Sequence, residues 1–189
     1  MATTRTVVHL DRDQLKVLAH PLRLRALGAL RTGGPATATA IAARLGSNSG
    51  KTSYHLRELA KVGLIVEEPE RGTARERWWR AAHDITSWSS TDFQEDPEMA
   101  AVEDWLRGHV VRIHAERGDR WVTTRADWSP DWLDAAELSD FRVRLTAERL
   151  RAMNAEIHEV LQRYADTENQ PDDEDAESCA VILHSFPDP

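Results

Sequence analysis

The sequence predicts an α+β fold that is mainly helical. It combines an N-terminal module of short helices closed by a β-hairpin with a small helical C-terminal region carrying a short two-stranded sheet. Three observations support this. Apolar residues recur at helical spacing in segments bounded by caps, glycines and prolines. Two short helices joined by a glycine-containing turn precede a strand–turn–strand stretch. The charge is split: the 189-residue chain carries −8 overall, yet residues 1–83 hold 14 Lys/Arg against 7 Asp/Glu, a net of +7, and residues 84–189 hold 10 against 25, a net of −15. That asymmetry joins a basic module, suited to a polyanion, to an acidic one that avoids it.

Composition excludes several classes. At 41% hydrophobic residues the chain can build a core, but no stretch approaches the roughly 18–20 apolar residues a bilayer crossing needs. Residues 1–10 hold one Arg and no apolar stretch of secretory-signal type. The single cysteine, Cys179, can form neither an internal disulfide nor a multi-thiolate metal site. The expectation is a cytoplasmic protein with no membrane partner.

Each element has its own signal. Asp11 with Gln14 forms a capping box, and Leu10 and Leu15 occupy the staple positions around it. Leu15, Leu18 and Leu22 share a face, and His20-Pro21 divides two helices, with Pro21 in the first turn of the second. Leu24, Leu27 and Leu30 continue the stripe until Gly33-Gly34-Pro35. Thr37 caps a short helix with Ile41, Ala42 and Leu45 inward, and Gly46 suits its C-terminal positive-φ position. After the Ser47-Asn48 turn a helix runs from about Ser49 to Val62, with Thr52, Leu56, Leu59 and Val62 inward and Gly63 as its stop. Ile65-Val66 and Trp78-Trp79 flank turn-forming residues and read as a hairpin, one Trp packing beneath it.

Residues 84–96 are polar and aperiodic and read as a linker. A helix then runs from Pro97 to about Arg117, closed by Gly118, with Met99, Val102, Leu106, Val110 and Ile113 inward. Ser129-Pro130 starts a short helix, and Thr146 caps a final one reaching about Tyr164. Phe141 to Leu145 alternates with period two and reads as a strand, as does Ala180 to Phe186. The two pair within one chain or across two. Residues 166–178 are acidic and read as mobile.

The order helix, helix, helix-turn-helix, hairpin is the winged-helix arrangement. Within it, Leu18-Ala19-His20-Pro21-Leu22-Arg23-Leu24, Ala40 to Gly46, Thr52 to Leu59 and Val62-Gly63-Leu64-Ile65 together resemble the ArsR-type family of bacterial transcription regulators. The resemblance covers about residues 10–82. It implies a homodimer that binds operator DNA and dimerises through the first helix and the helix after the wing, which here are Asp11 to Leu18 and Pro97 to Arg117. The chain is thus divided into a winged helix-turn-helix DNA-binding domain (1–83), a linker (84–96) and a dimerisation or effector region (97–189).

The residues agree with that implication. With Thr52 turned to the core, Leu56 and Leu59 lie within about 40° of it at 100° per residue, whereas Gly50, Tyr54, Arg57 and Lys61 face away. A helix fits the B-DNA major groove and approaches base edges with its N-terminal turns. The candidate DNA-binding residues are Thr37, Ser49, Gly50, Lys51, Ser53, Tyr54, Arg57 and Lys61, with Arg71, Thr73 and Arg75 at the hairpin tip. Gly50 admits close backbone approach, and Arg57 can read a guanine or hold a phosphate. His55 projects toward the core flank and reads as structural. Gly46 to Thr52 imitates a phosphate-binding loop, but only three residues separate its glycines and it follows a helix.

No catalytic constellation or cofactor motif stands out. His109 and His114 are five apart, about 140° around a helix, and do not converge as metal ligands. All seven tryptophans lie between Trp78 and Trp132; they anchor a core, with a pocket for a small-molecule effector as the alternative. The sequence therefore predicts a non-enzymatic, sequence-specific repressor that binds an inverted-repeat double-stranded DNA operator as a homodimer. The competing expectation is a winged-helix protein-interaction module that never touches DNA.

Overall fold

The computed structural model of the chain describes residues 6–72, 76–89, 91–166 and 176–188. These divide into two compact units, Arg5–Ile113 and a second that includes His114–Pro189.

In the first unit the element order is β1 (Val7–His9), α1 (Arg12–Leu18), α2 (Pro21–Gly33), β2 (Ala36–Thr37), α3 (Ala38–Leu45), α4 (Ser49–Lys61), β3 (Ile65–Glu67), β4 (Trp78–Ala81), β5 (Ile85–Ser87) and the start of α5 (Pro97–Thr124). The local chemistry sets the boundaries. The Gln14 backbone N–H donates to Asp11 Oδ1 at 2.8 Å and Asp11 N–H to Gln14 Oε1 at 3.1 Å, completing the capping box. Pro21 opens α2, and the ring of His20 caps it, Nδ1 accepting from Leu22 N–H at 3.2 Å. Thr37 caps α3 through a bond accepted from Ala40 N–H at 3.2 Å. Gly46, at φ 61°, ends α3 in the left-handed region that favours glycine.

α2, α3 and α4 bury Leu27, Leu30, Ile41, Leu56 and Leu59 together with Leu15, Leu18, Leu64, Ile65 and Trp79. The first half of α5 adds Met99 and Leu106 to this core. The wing is a three-stranded antiparallel sheet of order β2-β4-β3, with Thr37 opposite Trp78 and Val66 opposite Arg80. Trp79 is the tryptophan packed beneath it.

Several expectations are corrected. The segment read as a linker carries β5, which pairs in parallel with β1, Val7 opposite Ile85. Three-residue strands with partners 78 positions away leave no periodicity to detect. Gly118 does not end α5, which continues to Thr124. One glycine costs a helix interior only about 1 kcal/mol relative to alanine, and no proline follows until Pro130. β2 extends the expected two-stranded hairpin by a third strand.

In the second unit the chain continues from α5 into α6 (Pro130–Ala135), capped by Ser129, and α7 (Ala147–Asp166), where Arg149 N–H donates to Thr146 Oγ1. Trp121, Trp128 and Trp132 form a chain of rings at 6.1 and 6.0 Å. Residues 141–145 and 180–186 form no strand, so the expected C-terminal two-stranded sheet is absent among the described residues. An alternating pattern sets which face is apolar but cannot supply a partner edge. Phe141 stands 85% exposed and Val181 68%. Of the acidic segment read as mobile, residues 167–175 lie outside the described residues.

Candidate nucleic-acid interface

The site is built on α4. Ser47 N–H bonds back to Ala42 C=O at 2.9 Å, closing the turn after α3. Asn48 then caps α4, its Oδ1 accepting from Lys51 N–H at 2.7 Å. These contacts fix the angle at which α4 leaves the turn. Thr52, His55, Leu56 and Leu59 face inward. Ser49, Gly50, Lys51, Tyr54, Arg57 and Lys61 are exposed and Ser53 is half-buried.

A groove of about 400 Å³ runs between this helix and the wing. Thr37 and Thr39 of the α3 start, Ser49, Gly50, Ser53 and Arg57 of α4, and Glu76, Arg77 and Trp79 of the wing line it. Arg57 lies along its helix, Nε donating to Ser53 C=O at 3.3 Å. That contact is weak and leaves the guanidinium free to extend. Gly50 has no internal reason to be glycine: a Cβ there would meet only Asn48 Oδ1, at 3.7 Å.

The sequence-predicted residues fall into distinct groups. Ser49, Gly50, Ser53 and Arg57 share the groove, and Lys51 and Tyr54 stand beside it on α4. Thr37 lines the groove but is buried, and its hydroxyl is taken by the α3 cap. Lys61 is bonded to Glu58 at 2.6 Å, and Arg71 to Glu68 at 3.1 Å. Neither of these cations is a free charge. Thr73 and Arg75 lie outside the described residues. Thr39, Arg77 and Trp79 were missed. The first-turn position of Thr39, and the shared face of residues 77 and 79 on a strand, are the signals that mark them. His55 is buried as expected, 6% exposed, its ring 4.3 Å from that of His20.

Residues 18–68 match the family model of a helix-turn-helix domain. The stretch spans α2 through β3, with α3 and α4 as its two helices. This segment is a helix-turn-helix domain. With the β2-β4-β3 sheet beside it, the helix-turn-helix has a winged form. Among solved structures, the chain is similar to the homodimeric winged helix-turn-helix domain of a possible ArsR-family transcriptional regulator from Mycobacterium bovis, with 25% identity over 55% of this chain and 76% of that one, at a TM-score of 0.34. It is also similar to a possible transcriptional regulator for arsenical resistance (29% identity, 63% and 99% covered, TM-score 0.33). A third is wild-type MarR from Escherichia coli (15%, 80% and 87%, TM-score 0.31). No curated protein matches the chain. No helix among the described residues is long and apolar enough to cross a membrane, and those residues contain no cluster of three or more metal-ligating side chains.

Proposed function

We propose that this protein is an ArsR-type transcription regulator of the cytoplasm, a repressor that binds an inverted-repeat operator as a homodimer. The observation that carries the reading is the outward face of α4. Ser49, Gly50, Lys51, Ser53, Tyr54 and Arg57 are presented at one end of a rigid, core-anchored helix, on the half of the chain with net charge +7. Two recognition helices related by a two-fold axis would enter successive major grooves about one helical turn apart. Thr73 and Arg75 of the hairpin tip, outside the described residues, are proposed to contact a phosphate or the minor groove.

The dimer is supported by the second unit. No residue among its described ones is buried, and Leu138, Phe141, Val143, Tyr164, Val181 and Phe186 are all more than 60% exposed. A folded unit with so much apolar surface in water is completed by a partner, and a second copy supplies the same surface in return.

The test is a mobility-shift titration on the DNA upstream of the protein's own gene, repeated across salt concentrations. If each subunit neutralises roughly three or four phosphates, log K falls against log[salt] with a slope on the order of −6. Absence of any shift, or affinity independent of salt, returns the protein-interaction reading.

A further inference from the structure

The groove accounts for only one flank of α4. Taking Thr52 as facing the core, Ser49, Ser53, Arg57 and Gly50 fall at about +60° to +160° around the helix, on the wing side. His55 and Lys51 fall at about −60° and −100°, on the other flank. That second flank abuts the start of α2, and the chemistry there is unresolved within the chain. His55 is 6% exposed, its Nδ1 has no partner among the described residues, and its ring lies 4.3 Å from His20. The Nε of Arg23, one turn into α2, is also buried without a partner. Neither Arg23 nor Lys51 makes an ion pair among the described residues, and the one nearby carboxylate, Glu58, is bonded to Lys61 at 2.6 Å.

We infer that His20, Arg23 and Lys51 form a second phosphate-binding site at the start of α2, which grips the DNA backbone on the flank of α4 away from the wing. The inference rests on the DNA-binding reading of α4. His20 Nδ1 is occupied by Leu22 N–H, so the neutral ring carries its proton on Nε2 as a donor. That donor adds to the α2 N-terminus, whose backbone dipole favours an anion. Arg23 adds a guanidinium suited to phosphate, and Lys51 a point charge. The wing and this site would thus hold two phosphates on either side of the recognition helix, fixing how deeply α4 sits in the groove.

A proton linkage follows. His20 is held below its ordinary proton affinity by burial, then by Arg23 and Lys51; His55 by burial, then by His20, Arg23 and Lys51, with Glu58 opposing. Tyr54 contributes only its ring edge to His55. A bound phosphate offsets those cations. His20 Nδ1 already accepts the Leu22 N–H, so the proton is taken up at the open Nδ1 of His55, and DNA binding tightens as pH falls from 8 toward 6.

The experiment uses the full chain with operator duplexes carrying a single neutral methylphosphonate linkage, scanned across the half-site. Arg23→Gln is expected to lower affinity about 3- to 10-fold on operator and unrelated DNA alike, with the salt slope smaller by about 1. One methylphosphonate position should weaken the wild type and leave Arg23→Gln unaffected, as coupled groups require. His20→Gln should weaken binding by removing the Nε2 donor, and His55→Gln should flatten the pH dependence. Arg23→Lys, which keeps the charge, and thermal unfolding of each variant separate contact loss from misfolding. Wild-type affinity and salt slope in Arg23→Gln and His20→Gln, with a wild-type pH profile in His55→Gln, in a protein where Arg57→Ala still weakens binding, would overturn the site. Failure of the wild type to bind DNA would overturn the reading beneath it instead.

Discussion

Replacing Gly50 by alanine separates folding from DNA recognition at a single atom. Gly50 is the second residue of α4, and a Cβ there would meet nothing closer than Asn48 Oδ1 at 3.7 Å, an ordinary contact. Nothing inside the chain therefore opposes the methyl group. Alanine also removes backbone freedom from the unfolded chain and raises helix propensity, together about 0.4–1 kcal/mol of stabilisation. For a unit of this size that is a rise in Tm of a few degrees. The same methyl group projects into the groove lined by Ser49, Ser53 and Arg57. If α4 approaches a base pair or phosphate at van der Waals distance there, an added methyl displaces the helix and weakens its hydrogen bonds. A loss of about 1–3 kcal/mol, roughly 5- to 150-fold in operator Kd, is the expected size. Thermal unfolding and fluorescence anisotropy on the same preparation give both numbers. An unchanged or tighter Kd alongside the higher Tm would show that DNA does not come close at Gly50, and would refute the docking of α4 argued above.

Three further outcomes are expected. Arg57→Ala should weaken operator binding by about 1–3 kcal/mol if the guanidinium reads a guanine, with selectivity relaxed at one base pair; a uniform loss on all sequences assigns it to a phosphate. Asn48→Ala removes the α4 cap and should cost about 1 kcal/mol in denaturant unfolding, where a loss under 0.3 kcal/mol would mean the cap bond contributes little. The pH dependence of stability should centre on His83, which is 3% exposed, bonded to Thr86 Oγ1 at 3.1 Å, and held down to about 4 by burial and then by Arg31. Because the fold favours the neutral ring, its stability is fully present above about pH 6.5 and lost as pH falls toward 4, by at most about 3 kcal/mol. His83→Gln should flatten that slope in urea titrations between pH 7.5 and 4.5; an equally steep slope would place the acid sensitivity elsewhere.

What could be seen in the sequence was whatever depends on neighbours in the chain. The Asp11–Gln14 box, Pro21 at the start of α2, Thr37 as a cap and Gly46 in the left-handed region are all governed by residues within a turn, so composition and spacing expose them. The inward face of α4 was legible for the same reason, since Thr52, Leu56 and Leu59 recur at helical spacing. What escaped was long-range. β5 owes its existence to Val7-Val8-His9, far away in the chain. The groove likewise depends on Arg77 and Trp79 arriving beside α4 from the wing. The cap made by His20 was hidden because histidine is not a usual capping residue, although its Nδ1 can accept the same bond. The strands expected at residues 141–145 and 180–186 fail in an instructive way: their patterns are genuine, but a strand is stable only against another edge.

That failure bears on assembly. In the first unit every helix contributes buried apolar residues to one core, which runs from Leu10 to Leu106, so this unit closes on its own core. The second unit brings helices, a run of three neighbouring tryptophan rings and two alternating or apolar segments, yet buries none of its described residues. Besides those rings, its ties include polar, peripheral ones: His114 to His184 at 2.7 Å, Ser185 to Asn154 at 2.9 Å, and Arg142 to Asp188 at 3.1 Å. Exposed ties of this kind contribute at most about 1 kcal/mol each, too little to order the backbone that carries them. On the homodimer reading proposed above, a second copy covers the apolar surface that the second unit leaves open. Sedimentation analysis of the full chain alongside a chain ending at residue 113 should show that the dimer weakens when the second unit is removed; equal self-association of both would place the interface wholly in the first unit.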